Sequence, residues 1–354
     1  MRISVGIFTL VVGLVFLTDT GEAWRRPKNS SLRLKKAGVV RVGRQPKQIV
    51  VAPNHTKAYV TNFGGKSISV LDLKTFKVSN TLNTGGAPVE GSFTPNSKYV
   101  YITNFDKVTK DGPRSGLWKI DTSNDKIVAR IKGHRYPKGV VVSPDGKTVF
   151  FSSWWWPRGY MAAVSVETNK IIKKARVWNR PRGMAMSPDG KILYLCNFGG
   201  FQKKKGDNSH HKGAGLAFLD SKTLKLKRKL VYAGYLTRHV VAHPNGKWVY
   251  VSHLGSSTLV ALSTRTGRPR RWVRVGTGPK TIDLTQDGRY LFSANYFGRS
   301  ISVVDTRTFK EVERIRFPDR LSGLDVAPDD TYVYVTGWDT KRTWRVKIIR
   351  KDKN

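Results

Sequence analysis

One motif recurs seven times along the 354 residues, and its spacing confines the chain to a closed array of short β units. Each copy has a Pro-like start, an apolar run, a tight polar turn, then a second apolar run ending near an Asn and an aromatic residue. The first reads PKQIVVAPNHTKAYVTNF from Pro46, and later copies start at Pro88, Pro137, Pro181, Thr237, Pro279 and Leu321. The spacings are 42, 49, 44, 56, 42 and 42 residues, and a period in the forties marks an array of supersecondary units.

Within each copy the apolar residues alternate or form short β-branched runs around a turn. SPDGK, at Ser143 and again at Ser187, suits a short hairpin, because Asp supports the turn and Gly accepts a positive φ. A second turn follows in most copies, as in LDLKTFK at Leu71 and VDTRTFK at Val304. Two hairpins per period give four antiparallel strands, a to d, which is one blade of a propeller. There are seven first turns but six second turns, and only one strand remains after Trp338. The missing outer strand is expected from the N-terminus, at GVVRVG from Gly38, so that first and last strands close the ring. The fold expected is all-β: a seven-bladed β-propeller over residues 38–350, its last blade completed by the N-terminal strand.

The stretch AYVTNFGGKSISVLDLKTFKV, Ala58 to Val78, resembles the YVTN-repeat β-propeller family of bacterial periplasmic and archaeal surface-layer proteins. Thr61-Asn62, Thr103-Asn104, Cys196-Asn197 and Ala294-Asn295 stand at the diagnostic place, while Ser152-Ser153, Ser252-His253 and Thr336-Gly337 depart from it. The resemblance implies export and a seven-bladed ring. It implies no reaction, since propellers host many functions.

Residues 1–23 read as a signal peptide, with Arg2 before an apolar stretch and small residues near Gly21 and Ala23. An uncleaved anchor is the competing reading. No later stretch is long and apolar enough to span a membrane, so a periplasmic, extracellular or cell-surface location is expected. Residues 24–37 look like a disordered basic leader, and 351–354 like a tail. The single cysteine, Cys196, excludes an internal disulfide. With 64 Lys and Arg against 24 Asp and Glu, the formal charge is +40, and such a field attracts anions.

In such a ring the d–a and b–c connections share one face, and here they are the long, irregular ones, where binding usually resides. The residue after the Pro position is Lys47, Val89, Lys138, Arg182, Arg238, Lys280 and Ser322 in turn. Five of the seven are basic, which predicts positive potential at the channel mouth. The next position holds Glu90 and His239, weak catalytic candidates whose blades lie far apart in ring order, whereas an acid–base pair must reach one substrate. The b strands end in Phe63, Phe105, Trp154, Phe198, Leu254, Tyr296 and Trp338, which either pack between blades or face a ligand. Trp154, Trp155, Trp156 and Arg158 add stacking and cation–π capacity. His210, His211, His239 and His253 are weak metal candidates without a spaced Cys or acid set, and no cofactor is expected.

These features favour a monomeric, non-enzymatic binding propeller for an anionic polymer, nucleic acid or acidic glycan. Lys47, Lys138, Arg182, Arg238, Lys280, Trp154, Trp155, Trp156 and Arg158 are its ligand-binding candidates. The alternatives are a lyase or hydrolase with an acid–base or metal site at the mouth, and a scaffold for an acidic protein. No HExxH, GxSxG, RNP-like or helix-turn-helix signature is present.

Overall fold

The computed structural model describes residues 24, 26–27, 30–106, 108–109, 112–113, 115–133, 136–154, 159–178, 180–199, 214–231 and 234–351. Seven four-stranded antiparallel sheets stand in a ring, a seven-bladed β-propeller, and none of the described residues is helical. The inner strands a begin at the repeat starts, or one residue earlier at Ala87 in blade 2, and contact one another in sequence order, the first also meeting the last. A small two-stranded ribbon, Val108–Thr109 with Gly112–Pro113, extends the b–c connection of blade 2.

Burial follows the repeat. The aromatic residue three places before the motif's Asn is Tyr59, Tyr101, Phe150, Tyr194, Tyr250, Phe292 or Tyr334, and each is at most 2% exposed. The apolar core is divided into seven clusters, each between two neighbouring blades, so every interface is a separate core. The a–b turns carry a left-handed residue at one equivalent place: His55, Ser97, Gly146, Gly190, Gly246, Gly288 or Asp330. Where the sequence offers Gly, that conformation carries no Cβ penalty.

Ring closure extends further into the N-terminus than the sequence suggests. The outer strand of blade 7 is Leu32–Arg41, paired antiparallel with Arg342–Arg350, so it starts six residues before Gly38. Leu32 and Leu34 are buried, which fixes this register, because alternate residues of a strand share a face. Upstream, Ser30 Oγ donates to Val312 O at 2.8 Å, and Arg26 pairs with Glu313 at 2.7 Å. The leader expected to be disordered is therefore docked on blade 6 over its described part.

Candidate functional site: the channel mouth

The backbone itself aims the basic residues. In five blades the residue two places earlier is left-handed: Gln45 (φ 52°), Tyr136 (57°), Arg180 (54°), Leu236 (57°) and Gly278 (70°). Four of these carry a Cβ, and such a conformation costs about 1–3 kcal/mol. Each turns its d–a loop over the channel and delivers Lys47, Lys138, Arg182, Arg238 or Lys280. In blades 2 and 7 no positive φ occurs at that position, and the residues delivered are Val89 and Ser322.

Just inside this position the a–b ladder slips in all seven blades. In blades 1, 2, 3, 5 and 7 the hydroxyl of the motif's Thr or Ser fills the gap. Thr61 Oγ1 accepts from Gln48 N at 3.0 Å, Thr103 Oγ1 from Glu90 N at 3.1 Å, and Ser252 Oγ from His239 N at 3.1 Å. Thr103 also donates to Lys138 O at 2.7 Å, and Ser152 to Arg182 O at 3.3 Å, each in the next blade. The motif's hydroxyl thus satisfies a slipped N–H and sets the position of a neighbouring cation.

Lys138, Arg238 and Lys280 are buried, while Lys47 and Arg182 keep part of their surface open. Lys47, Gln48, Glu90, Arg238, His239, Lys280, Thr281 and Ser322 line one small pocket, in which Glu90 is the one acidic side chain. Lys280 Nζ donates to Ser322 Oγ at 2.9 Å, and Ser322 donates on to Lys47 O at 2.8 Å. Burial, then repulsion from Arg238 and Arg182, holds the Lys47 ammonium well below its usual pKa. Burial with mutual repulsion does the same to Lys138 and Lys280, and presses down the Arg182 guanidinium. An arriving anion would relieve both penalties at once.

Above the cations lies an aromatic collar. Lys138 Nζ is 3.8 Å from the Phe105 centroid, Lys280 Nζ 4.2 Å from that of Tyr296, and the Arg182 guanidinium 4.7 Å from that of Phe198. The rings also touch one another across blades: Tyr296 to Trp338 at 6.5 Å, Trp338 to Phe63 at 6.0 Å, Phe63 to Phe105 at 6.0 Å and Phe105 to Trp154 at 6.5 Å. The b-strand aromatics therefore pack between blades and face the mouth together. Tyr136, which the sequence reading passed over, is wedged 4.8 Å from Phe105, and its place before Pro137 was the available signal.

Glu90 and His239, in blades 2 and 5, line the same pocket, and Glu90 favours the protonated ring of His239 against the larger effect of burial. Distance in ring order does not separate them, because the channel is narrow at this level. His239 rests on blade 4, where a Cβ at Gly183 would come within 2.8 Å of its ring. Its Nδ1 is buried without a hydrogen-bond partner.

His253 lies fully buried in strand b of blade 5, both ring nitrogens without partners, and burial lowers its pKa to about 4. It stands where the motif has Asn, so it is a core residue rather than a ligand at the mouth. Among the described residues no group of three His, Cys, Asp or Glu could hold a metal. Trp154 joins the collar, with the Arg182 guanidinium 5.6 Å from its ring centroid. Trp155, Trp156, Arg158, His210 and His211 lie outside the described residues.

No protein-family profile matches the chain. Antigen Lp49 of Leptospira interrogans is 24% identical over 320 residues, covering 86% of this chain and 57% of that protein, so the chain spans little more than half of its relative's length. Among solved structures, hydrazine synthase of Kuenenia stuttgartiensis superposes with a TM-score of 0.71 at 17% identity, over 90% of this chain and 98% of the matched chain. That likeness is one of fold. Among the described residues, no helix is long and apolar enough to cross a membrane.

Proposed function

We propose that this protein is an exported, non-enzymatic binding propeller of the YVTN-repeat type, whose channel mouth grips the anionic groups of a polymer such as nucleic acid or acidic glycan. One observation carries the reading: five basic side chains from five blades converge on one mouth whose pocket holds a single carboxylate, Glu90. So much buried like charge opposes folding unless a counter-charge arrives, and the aromatic collar suits the neutral part of such a ligand. The small pocket takes one carboxylate, phosphate or sulfate group at a time, at a chain end or a projecting side group. Binding of a labelled anionic oligomer should weaken steeply with salt, and Lys138→Ala with Lys280→Ala should weaken it at least tenfold. Affinity unchanged by salt and by both substitutions would exclude the mouth.

The shared pocket of Glu90 and His239 favours a second reading, acid–base chemistry on the held anion. Turnover of an acidic sugar or phosphoester by wild type, lost in His239→Ala, would establish it. Full activity in that variant would remove it.

A further inference from the structure

We infer that the outer edges of blades 2 to 5 form a second binding surface, separate from the mouth, for a long flexible acidic polysaccharide. The outer strands there read KIVARIK (Lys126–Lys132), IIKKARV (Ile171–Val177), LKRKLV (Leu226–Val231) and PRRWVR (Pro269–Arg274). Among the described side chains they expose three, three, two and three lysines or arginines respectively, and none of the four sequences contains an acidic residue. The arc spans more than half of the circumference.

The rest of the rim is different. The outer strand of blade 1, KVSNTLN, carries one lysine. In blade 6, Glu311 and Glu313 neutralise Arg314 and Arg26 at 2.6 and 2.7 Å. Blade 7 is basic but stands alone between those two. Charge placed only for solubility or for guarding free edges would extend to blade 1, whose outer strand is as exposed as those of blades 2 to 5. A strand-adding protein partner is disfavoured too. In every blade the outer strand carries a bulge at one equivalent place, from Ser79, opposite Val70/Leu71, in blade 1 to Lys36/Gly38 in blade 7. Bulged edges pair poorly with an added strand, which leaves side-chain chemistry to do the binding.

Shape and composition narrow the polyanion. The arc is convex, so a flat membrane would meet one blade at a time. A DNA duplex, with a persistence length of about 50 nm, is too stiff to follow it. Single-stranded nucleic acid needs repeated aromatic platforms, and these four strands expose one large aromatic, Trp272. Each strand does expose one large apolar side chain amid its cations: Val128, Ile172, Leu226 or Trp272. Cations alternating with small apolar patches match a chain of sugars, each with a carboxylate or sulfate and an apolar C–H face.

The test is polygalacturonate binding by the full chain, compared with galacturonic acid and with a DNA duplex of equal charge. One variant carries Lys173→Gln, Lys174→Gln, Arg176→Gln, Arg270→Gln and Arg271→Gln. Its control loses the same charge on the turns, through Lys74→Gln, Lys147→Gln, Lys191→Gln, Lys222→Gln and Lys247→Gln. The arc variant should bind the polymer at least tenfold more weakly, with a shallower salt dependence, while the control changes less than threefold. The comparison is repeated with Lys138→Ala and Lys280→Ala added to all three proteins, which disables the mouth. The arc variant should then still bind the polymer at least tenfold more weakly than its parent, which separates this surface from the mouth. Equal losses in arc and control variants, or, with the mouth disabled, monomer binding as tight as polymer, would overturn the surface. Duplex DNA binding more tightly than polygalacturonate would overturn the glycan assignment. Melting curves check that both variants fold.

Discussion

Lys280 of blade 6 is held by Ser322 of blade 7, Nζ to Oγ at 2.9 Å, and the same hydroxyl reaches on to the Lys47 carbonyl of blade 1. One serine thus links three blades at the mouth, in the position where other blades carry a cation. Ser322→Ala leaves a buried ammonium without its acceptor, a loss of about 1–3 kcal/mol. A lowered melting temperature and weaker anion binding are expected, with Ser322→Thr retaining most of both. An alanine variant as stable as wild type would show that Lys280 is satisfied elsewhere.

Glu90 is the single carboxylate lining the pocket, so its removal acts in opposite directions on folding and on binding. Glu90→Gln keeps the shape and deletes the counter-charge, destabilising the ligand-free protein by about 1–3 kcal/mol. It also unmasks positive potential, so inorganic pyrophosphate should bind more tightly and raise the melting temperature further than in wild type. Thermal melts with and without pyrophosphate measure both. A variant that loses affinity would place Glu90 on the ligand's side as a hydrogen-bond partner.

The lysines make a linked prediction about protons. Burial holds Lys47, Lys138 and Lys280 below their ordinary value of 10.5. Between the lowered value and 10.5 the unfolded chain binds more protons than the folded one, so the lysine contribution to stability increases with pH across that window. A bound anion restores the charged form, so binding takes up protons and weakens as pH rises. Calorimetry within that window, in two buffers of different ionisation enthalpy, should show net uptake. A heat independent of buffer would mean that the lysines are already fully charged.

How far the site could be read from the sequence depends on whether a feature repeats. The position of Lys47, Lys138, Arg182, Arg238 and Lys280 recurs once per blade, so alignment of the copies places them at the mouth without coordinates. The motif's Thr recurs too, yet its task at the slipped a–b ladder depends on a hydrogen bond invisible to periodicity. Glu90 and His239 stand out in the sequence, but their meeting in one pocket is hidden for a metric reason: ring order says nothing about channel width. One departure from the repeat is compensated by a loop residue of the same blade. Gly337, standing where the motif has Asn, leaves room for the carboxylate of Asp319, which accepts from Asp339 N at 2.8 Å and Thr340 N at 3.0 Å. The N-terminal leader was misjudged because its composition is polar and basic, while its register is set by two leucines, Leu32 and Leu34.

Asp283 and Asp325, on the inner strands of blades 6 and 7, form a carboxyl pair that the repeat does not announce. Asp283 accepts from Val326 N at 2.8 Å and Asp325 from Val51 N at 2.6 Å, so the pair ties blade 6 to 7 and 7 to 1. Burial first, then the neighbouring Asp283, lifts the Asp325 carboxyl well above its ordinary 3.8, and burial raises Asp283. One shared proton lets the two carboxyls hydrogen-bond. A raised carboxyl contributes stability that is full below 3.8 and lost as pH rises through the folded-state value. Asp325→Asn keeps the acceptor for Val51 N and offers its amide to Asp283 at every pH. The variant should therefore match wild type near pH 4 and gain on it as pH rises to 8, by about 1–3 kcal/mol at most. The difference in melting temperature between variant and wild type, followed against pH, isolates this pair from the lysines, which both proteins share. A difference that stays flat, or that favours wild type at pH 8, would mean the two carboxyls do not share a proton across the seam between blades 6 and 7.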